Sequence, residues 1–180
     1  MEKNDLSKYN NTWYYPGYKV VCVLWYFINV VFFVSHIIPL SGLKVWLLKL
    51  FGAKVGRSVV IKPGVNIKYP WKLVIGDYSW IGEDVWIDNL DQVIIGSNVC
   101  ISQGAMILCG NHNYKSESFD LITKPIVIEE GVWIGAKSIV LPGEVLENQK
   151  NCENRSTPRT PHNHGRNALT QSVGGFRWKF

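Results

Sequence analysis

Across residues 55–140 a β-branched aliphatic side chain returns every six positions, a rhythm that few folds can accommodate. The series runs Val55, Ile61, Ile67; then Ile75, Ile81, Ile87; then Ile95, Ile101, Ile107; and, after an interruption, Ile128, Ile134, Val140. Three sixes plus two residues make a repeat of twenty, and all twelve slots hold Ile or Val. Two positions before each slot the residue is again small or aliphatic: Ala53, Val59, Val65, Leu73, Ser79, Val85, Val93, Val99, Ala105, Ile126, Val132 and Ser138. Side chains alternate across a strand, so both sets share one face. A corner every six residues turns that face inward each time, and stacked coils bury an aliphatic column that no single repeat supplies. Gly follows the slot at Gly56, Gly76, Gly82, Gly96 and Gly135, where a chain turning a corner gains from having no Cβ. An ordinary β-sandwich also has evenly spaced strands, but nothing in it would hold a six-residue phase through three successive twenties. The expected fold is mainly β, a parallel β-helix of about four coils.

A chain of 180 residues suits one domain with appendages. The net charge of +5 is compatible with an anionic partner such as a nucleotide cofactor or a membrane surface. Its charges do not gather into a groove-reading helix and no nucleic-acid motif appears, so nucleic acid is not an expected partner. Cys22, Cys100, Cys109 and Cys152 have neither metal-ligand spacing nor a disulfide framework, and no metal is expected. The first residues are polar and aromatic, with Pro16 and Gly17, and do not read as a cleavable leader. A reducing cytoplasm is the expected setting, with attachment to the inner face of a membrane as an extension of it.

That extension comes from residues 20–38, which are apolar on every side except at Asn29, Ser35 and His36. The run reaches only the lower end of a spanning length. Asn29 and His36 favour a helix packed across one end of the coil, or attached peripherally, over a true span. A second helix is expected from Ser41, read as its N-cap, to Phe51, ending at Gly52. Lys44, Lys49 and Lys54 with Trp46 and Phe51 make it basic and aromatic, as interfacial helices are, so residues 20–51 are the expected membrane contact. The division is therefore residues 1–54 as a helical segment, 55–146 as coil, and 147–180 as an irregular tail.

After Ile107 the repeat breaks and resumes in phase at Ile126 and Ile128. The intervening residues 108–125 form a polar loop out of a rigid coil, the place where solenoids commonly carry function. Within it lies GNHNY, with His112 between Asn111 and Asn113. Together with VIIGSNVCIS before it and VWIGAKSIVLPG after it, this stretch resembles the hexapeptide-repeat acyltransferases. IKYPWKLVIGDYSWIGEDVWIDN and ISQGAMILCGNHNY are most similar to the subgroup named for colanic-acid biosynthesis. The resemblance runs over about residues 43–143 and implies a left-handed coil, usually assembled as a homotrimer. It also implies acetyl-CoA as co-substrate, His112 as general base, Trp133 flanking the pantetheine arm, and the backbone at Gly135 and Ala136 bonding its amides. In galactoside acetyltransferases an Asn holds the acceptor, but the matching position here is Gly82, so that role is not carried over. Asp88 and Asn111 are the candidate acceptor-binding residues, although Asp84, Asp88 and Asn89 equally suit ordinary corner bonds.

Moving an acetyl group from a thioester to a sugar hydroxyl needs a base near neutral pKa, which imidazole supplies. The tetrahedral oxyanion needs a donor, most simply a backbone N–H. No nucleophile elbow or Ser-His-Asp order is present, so direct transfer is expected rather than an acyl-enzyme. Cys109 reads as a small buried residue rather than a nucleophile. Two function classes follow: an O-acetyltransferase acting on a sugar or glycolipid in exopolysaccharide biosynthesis, or a catalytically impaired, structural trimer. Another acyl group, or an amino-sugar acceptor, is a variant of the first.

The second class rests on the ending. After LPG at residues 141–143 only Val145 and Leu146 echo a further repeat, where relatives continue with another coil that completes the cofactor site. Residues 148–172 are rich in Asn, Arg, Thr, Pro and His, with too little apolar area to offset ordering entropy. A disordered tail, an uncovered top edge and weakened coenzyme binding are the expectations, and a shifted reading frame would produce such a change of composition.

Overall fold

A computed structural model describes residues 5–148. The expected disorder of the tail concerns residues that lie, from 149 onward, outside the described ones. Three parallel sheets wrap one core, and the chain visits them in rotation. The first sheet holds Lys54–Val55, Leu73–Ile75, Val93–Ile95, Ile126–Ile128 and Val145–Leu146. The second holds Val60–Ile61, Trp80–Ile81, Cys100–Ile101 and Trp133–Ile134. The third holds Asn66–Ile67, Trp86–Asp88, Met106–Leu108 and Ile139–Val140.

Register follows the repeat of twenty. Ile61 pairs with Ile81, Ile81 with Ile101 and Ile101 with Ile134, and Ile67, Ile87, Ile107 and Val140 pair likewise. Eleven of the twelve slot residues are buried, Val55 of the first strand being half-buried, and the same holds two positions earlier, with Val132 of the top coil half-buried. Period two within the strand and period six between corners are therefore one pattern: every inward side chain meets its equivalent one coil away, at a strand spacing of about 4.8 Å.

The corners explain why the repeat is twenty and not eighteen. Three residues after the slot, φ is positive at Ser58, Gly64, Tyr78, Asp84, Asn98, Gly104, Gly131, Lys137 and Gly143, at the first two corners of the lower coils and again in the top coil. In the lower three coils the corner between the third and first sheets is wider, and carries the 3-10 turn Pro70–Lys72 in the first coil and the 108–125 excursion in the third. The glycines directly after the slot have a different reason from the expected one. None of them has positive φ. A Cβ on Gly76 would lie 2.5 Å from the Ser97 amide nitrogen, and one on Gly96 would lie 2.7 Å from that of Glu130. These glycines let one corner stack on the backbone of the next. Gly135, in the top coil, meets nothing closer than Ser138 Oγ at 3.5 Å.

The helical segment closes the bottom of the coil. Helix α1, Lys19–Ile28, continues as a π-helical stretch, Asn29–Val34, and helix α2 spans Ser41–Leu50. The first run is shorter than the expected residues 20–38: sixteen residues, about 24 Å at helical rise. No helix among the described residues is long and apolar enough to cross a membrane. Trp25, Asn29 and Phe33 form its buried stripe. Trp25 Nε1 donates to Ile67 O at 2.8 Å, and Asn29 bonds Asn66 Oδ1 through Nδ2 and the Ile67 amide through Oδ1. Ser41 is not the N-cap. Leu40 holds that position, while the Ser41 hydroxyl accepts from the Ile61 amide at 2.8 Å and so pins α2 to the first coil. Gly52, at φ 91, ends the helix as expected. Buried Lys44 donates to Lys62 O at 3.0 Å, and desolvation holds its ammonium below the ordinary lysine range.

At the other end a further short strand forms at Val145–Leu146, the two residues that echo a repeat in the sequence. It pairs in parallel with Ile126–Ile128 and is itself the last strand of the first sheet among the described residues.

Candidate active site

Residues 108–125 are built around a hairpin rather than a loose loop. Gly110–His112 runs antiparallel to Leu121–Thr123, with His112 opposite Leu121 at the outer end. The tip is fixed by short polar side chains. Ser116 and Ser118 hydroxyls donate to the two Asp120 oxygens at 2.9 and 2.7 Å, and Asn113 N–H donates to Asp120 O at 2.8 Å. Hydrogen bonds from Ser118 and then Ser116 hold the half-buried Asp120 carboxyl below the usual carboxylate range. This turn places Phe119 at φ 51, a left-handed conformation that a bulky residue adopts at a cost.

Phe119 then makes two contacts with His112. Its carbonyl lies 3.0 Å from Nδ1, and its ring stacks on the imidazole at 4.4 Å with an interplanar angle of 7°. A carbonyl only accepts, so Nδ1 carries the proton and the neutral ring keeps its lone pair on Nε2. The arrangement can take a proton from a hydroxyl placed within hydrogen-bond reach of Nε2.

Tyr9 forms a further wall, its ring 5.7 Å from that of His112. It arrives on an N-terminal strap tied to successive levels of the coil. Asp5 N–H donates to Glu117 O and Lys8 pairs with the Glu117 carboxylate at 2.6 Å. Lower down, Tyr14 Oη donates to Leu90 O, and Trp71 Nε1 donates to Pro16 O. Neither Tyr9 nor Phe119 is visible as a site residue in the sequence. The positive φ of Phe119 has no residue-type signal, and Tyr9 lies a hundred positions from His112.

The expected acceptor residues divide. Asn111 is exposed beside His112, its Oδ1 accepting from the His112 amide at 2.8 Å. Asp88 ends its strand one coil below, opposite Leu108, and its carboxylate forms an ion pair with Lys68 at 2.8 Å. The angle of that contact is poor, so Oδ1 accepts no hydrogen bond. Asn89 is buried and bridges the Tyr69 amide and carbonyl, a corner role, and Asp84 pairs with His36 at 3.0 Å. Buried Cys109 has its thiol pushed up to about 11, chiefly by desolvation, which leaves it protonated at neutral pH.

Trp133 is 75% exposed on the second sheet, with Nε1 held by Ser102 Oγ at 2.9 Å. The indole edge is thus fixed while its face stays open. In the second coil the Gly82 amide donates to Ile101 O, and in the third the Ser102 amide donates to Ile134 O. The equivalent Gly135 amide has no coil above it among the described residues, and Ala136 is exposed beside it. His112 and Trp133 therefore do not share a face of one chain: the hairpin leaves the corner after the third sheet, whereas Trp133 lies on the second. Among the described residues no three His, Cys, Asp or Glu side chains gather to hold a metal.

The chain is 39% identical over 143 residues to the "Putative colanic acid biosynthesis acetyltransferase WcaF" of Escherichia coli (strain K12), which covers 79% of both chains. The protein of the same name from Shigella flexneri matches with the same identity and coverage. Among solved structures, a hexapeptide-repeat acetyltransferase of Vibrio cholerae superposes with a TM-score of 0.62 at 20% identity, over 71% of this chain and 72% of that one. Its complex with acetyl coenzyme A gives 0.55 at 18% identity, over 71% and 79%. No family model matches the chain. Identity at the level of the first match, across four fifths of both chains, goes with a common fold and descent, and the parallel coil seen here is the fold of the solved relatives: the chain belongs to the hexapeptide-repeat acetyltransferases, in the colanic-acid-biosynthesis group.

Proposed function

We propose that the protein transfers the acetyl group of acetyl-CoA to a sugar hydroxyl, free or on a glycolipid, in exopolysaccharide biosynthesis. Its setting is the cytoplasm, and His112 is the general base. The observation that carries the reading is the fixed tautomer: Phe119 O occupies Nδ1, so Nε2 is the basic nitrogen. In the reaction Nε2 takes the acceptor proton as its oxygen attacks the thioester carbonyl. The tetrahedral intermediate expels coenzyme A thiolate, and the imidazolium returns the proton to sulfur. Atoms and charge balance without an acyl-enzyme, and protonated Cys109 has no part in it.

Trp133, Gly135 and Ala136 are the proposed donor-binding residues. An open indole face suits a pantetheine arm, and the Gly135 amide is a donor without a partner among the described residues. Asn111 and Asp88 are the proposed acceptor contacts, Asn111 by its place beside His112. Because hairpin and Trp133 face differently, the site is completed between copies. We therefore read the molecule as a cyclic trimer of left-handed coils, in which one copy's hairpin meets its neighbour's second sheet. Thiol release from acetyl-CoA, measured on purified protein with a panel of sugars and glycolipids, tests the function. Release that depends on a hydroxyl acceptor supports it; no release with any acceptor, or release only with amines, overturns it.

A further inference from the structure

The outward side of the N-terminal cap carries a second surface, unrelated to the hairpin. Between residues 20 and 34 the one polar side chain that is neither Cys nor Tyr is Asn29, and it is buried against the coil. With Trp25, Asn29 and Phe33 turned inward, the opposite stripe at Val20, Leu24, Phe27, Val31 and Val34 is exposed at helical spacing of four and three. Val20 is 79% and Phe27 61% exposed, far too open for these residues to belong to the core. Ile37, at 87%, and Trp46 and Leu50 of α2 are further exposed apolar side chains of the cap. Contiguous apolar surface beyond a few hundred Å² is uncommon on a soluble monomer and marks an interaction site.

Charge says what covers it. Between Asp5 and Asp77 the chain has nine Lys or Arg and no Asp or Glu, whereas residues 77–148 have three and eleven. At the cap and first coil Lys19, Lys49, Lys54 and Lys62 are exposed, with no carboxylate in ion-pair range among the described residues. The molecule is electrically polar along its coil, with the positive end coinciding with the apolar face. A second copy of this chain would bring like charge against like charge there, whereas an anionic bilayer offers both complements. The helical run is too short to span, and its inner stripe is tied to the coil, so it would lie in the interface plane. We infer that the α1–α2 cap docks the protein on an anionic lipid surface, with the apolar stripe in the headgroup–acyl boundary and the lysines at the phosphates. The inference is independent of the chemistry at His112.

Flotation of the full chain with vesicles tests it. One set is phosphatidylcholine alone, the other contains about one third phosphatidylglycerol, enough to set up an attractive surface potential. The bound fraction should be at least about five-fold higher on the anionic vesicles, and should fall several-fold as salt rises from about 50 to 500 mM and shortens the Debye length. The triple variant L24S/F27S/V31S changes only outward side chains and should abolish binding while keeping the wild-type melting curve. Lys19→Glu with Lys49→Glu should cut binding several-fold and leave the apolar stripe intact. Equal flotation on both vesicle types, no flotation, or wild-type binding by the lysine variant would overturn the inference. So would a solution mass that halves in the triple variant, since that assigns the face to a second copy.

Discussion

His112 matters less as a histidine than as one whose protons are already arranged. A neutral imidazole has two tautomers, and only one leaves Nε2 basic. Here the choice is made by the Phe119 carbonyl, and the ring stack keeps the imidazole in that plane. Replacing Phe119 with Gly keeps the carbonyl and relieves the left-handed φ of 51° but removes the stack. The variant should therefore fold as stably as the parent while kcat falls about ten-fold through lost positioning, which steady-state kinetics beside a melting curve would read. Cys109 gives a second test at this scale. Its folded thiol titrates near 11 against an ordinary 9.0, so its contribution to stability is complete below pH 9. Above pH 9 the unfolded chain releases its proton while the folded chain holds on to it until pH 11, so stability declines across that window, by about 3 kcal/mol for this group. Urea titrations at pH 8 and pH 11 should show a smaller loss in Cys109→Ala; an identical loss would mean that the thiol is not desolvated.

At the scale of elements, the coil was legible because its two periods are forced by burial. An inward side chain must be apolar and small enough to stack, and Ile or Val at every slot says so directly. The corners were legible in place but not in cause. Gly76 and Gly96 are glycine because the neighbouring backbone lies where a Cβ would be, a contact between residues twenty or more apart that no local rule shows. Gly76→Ala should therefore cost about 1–3 kcal/mol, the range for overpacking a tight contact. Gly135→Ala, with 3.5 Å of room, should be near neutral. Paired urea titrations separate the two, and equal effects would contradict the stacking account. Ser41 departs from the sequence expectation for a related reason: its hydroxyl caps nothing in its own helix because the first coil offers the Ile61 amide. The hairpin at 108–125 showed only as a polar break. Its order comes from a three-residue net around Asp120, and the contribution of Tyr9 comes from a strap held by backbone bonds to Glu117.

For the whole molecule, the proposed trimer has outer sheet faces to bury. Val60, Trp80, Cys100 and Trp133 stand in register on the second sheet, and Trp86, Met106 and Ile139 on the third. Light scattering at micromolar concentration should give three times the 20.5 kDa chain mass; a monomer would leave hairpin and Trp133 apart and the proposed site incomplete. The family is settled by identity and fold, so the central claim is the base. Its most direct test is acceptor-dependent thiol release from acetyl-CoA by the parent protein and by His112→Ala, each checked for an unchanged melting curve. The account predicts that kcat drops by about two to four orders of magnitude, the usual worth of a general base. Turnover in His112→Ala equal to that of the parent would contradict it.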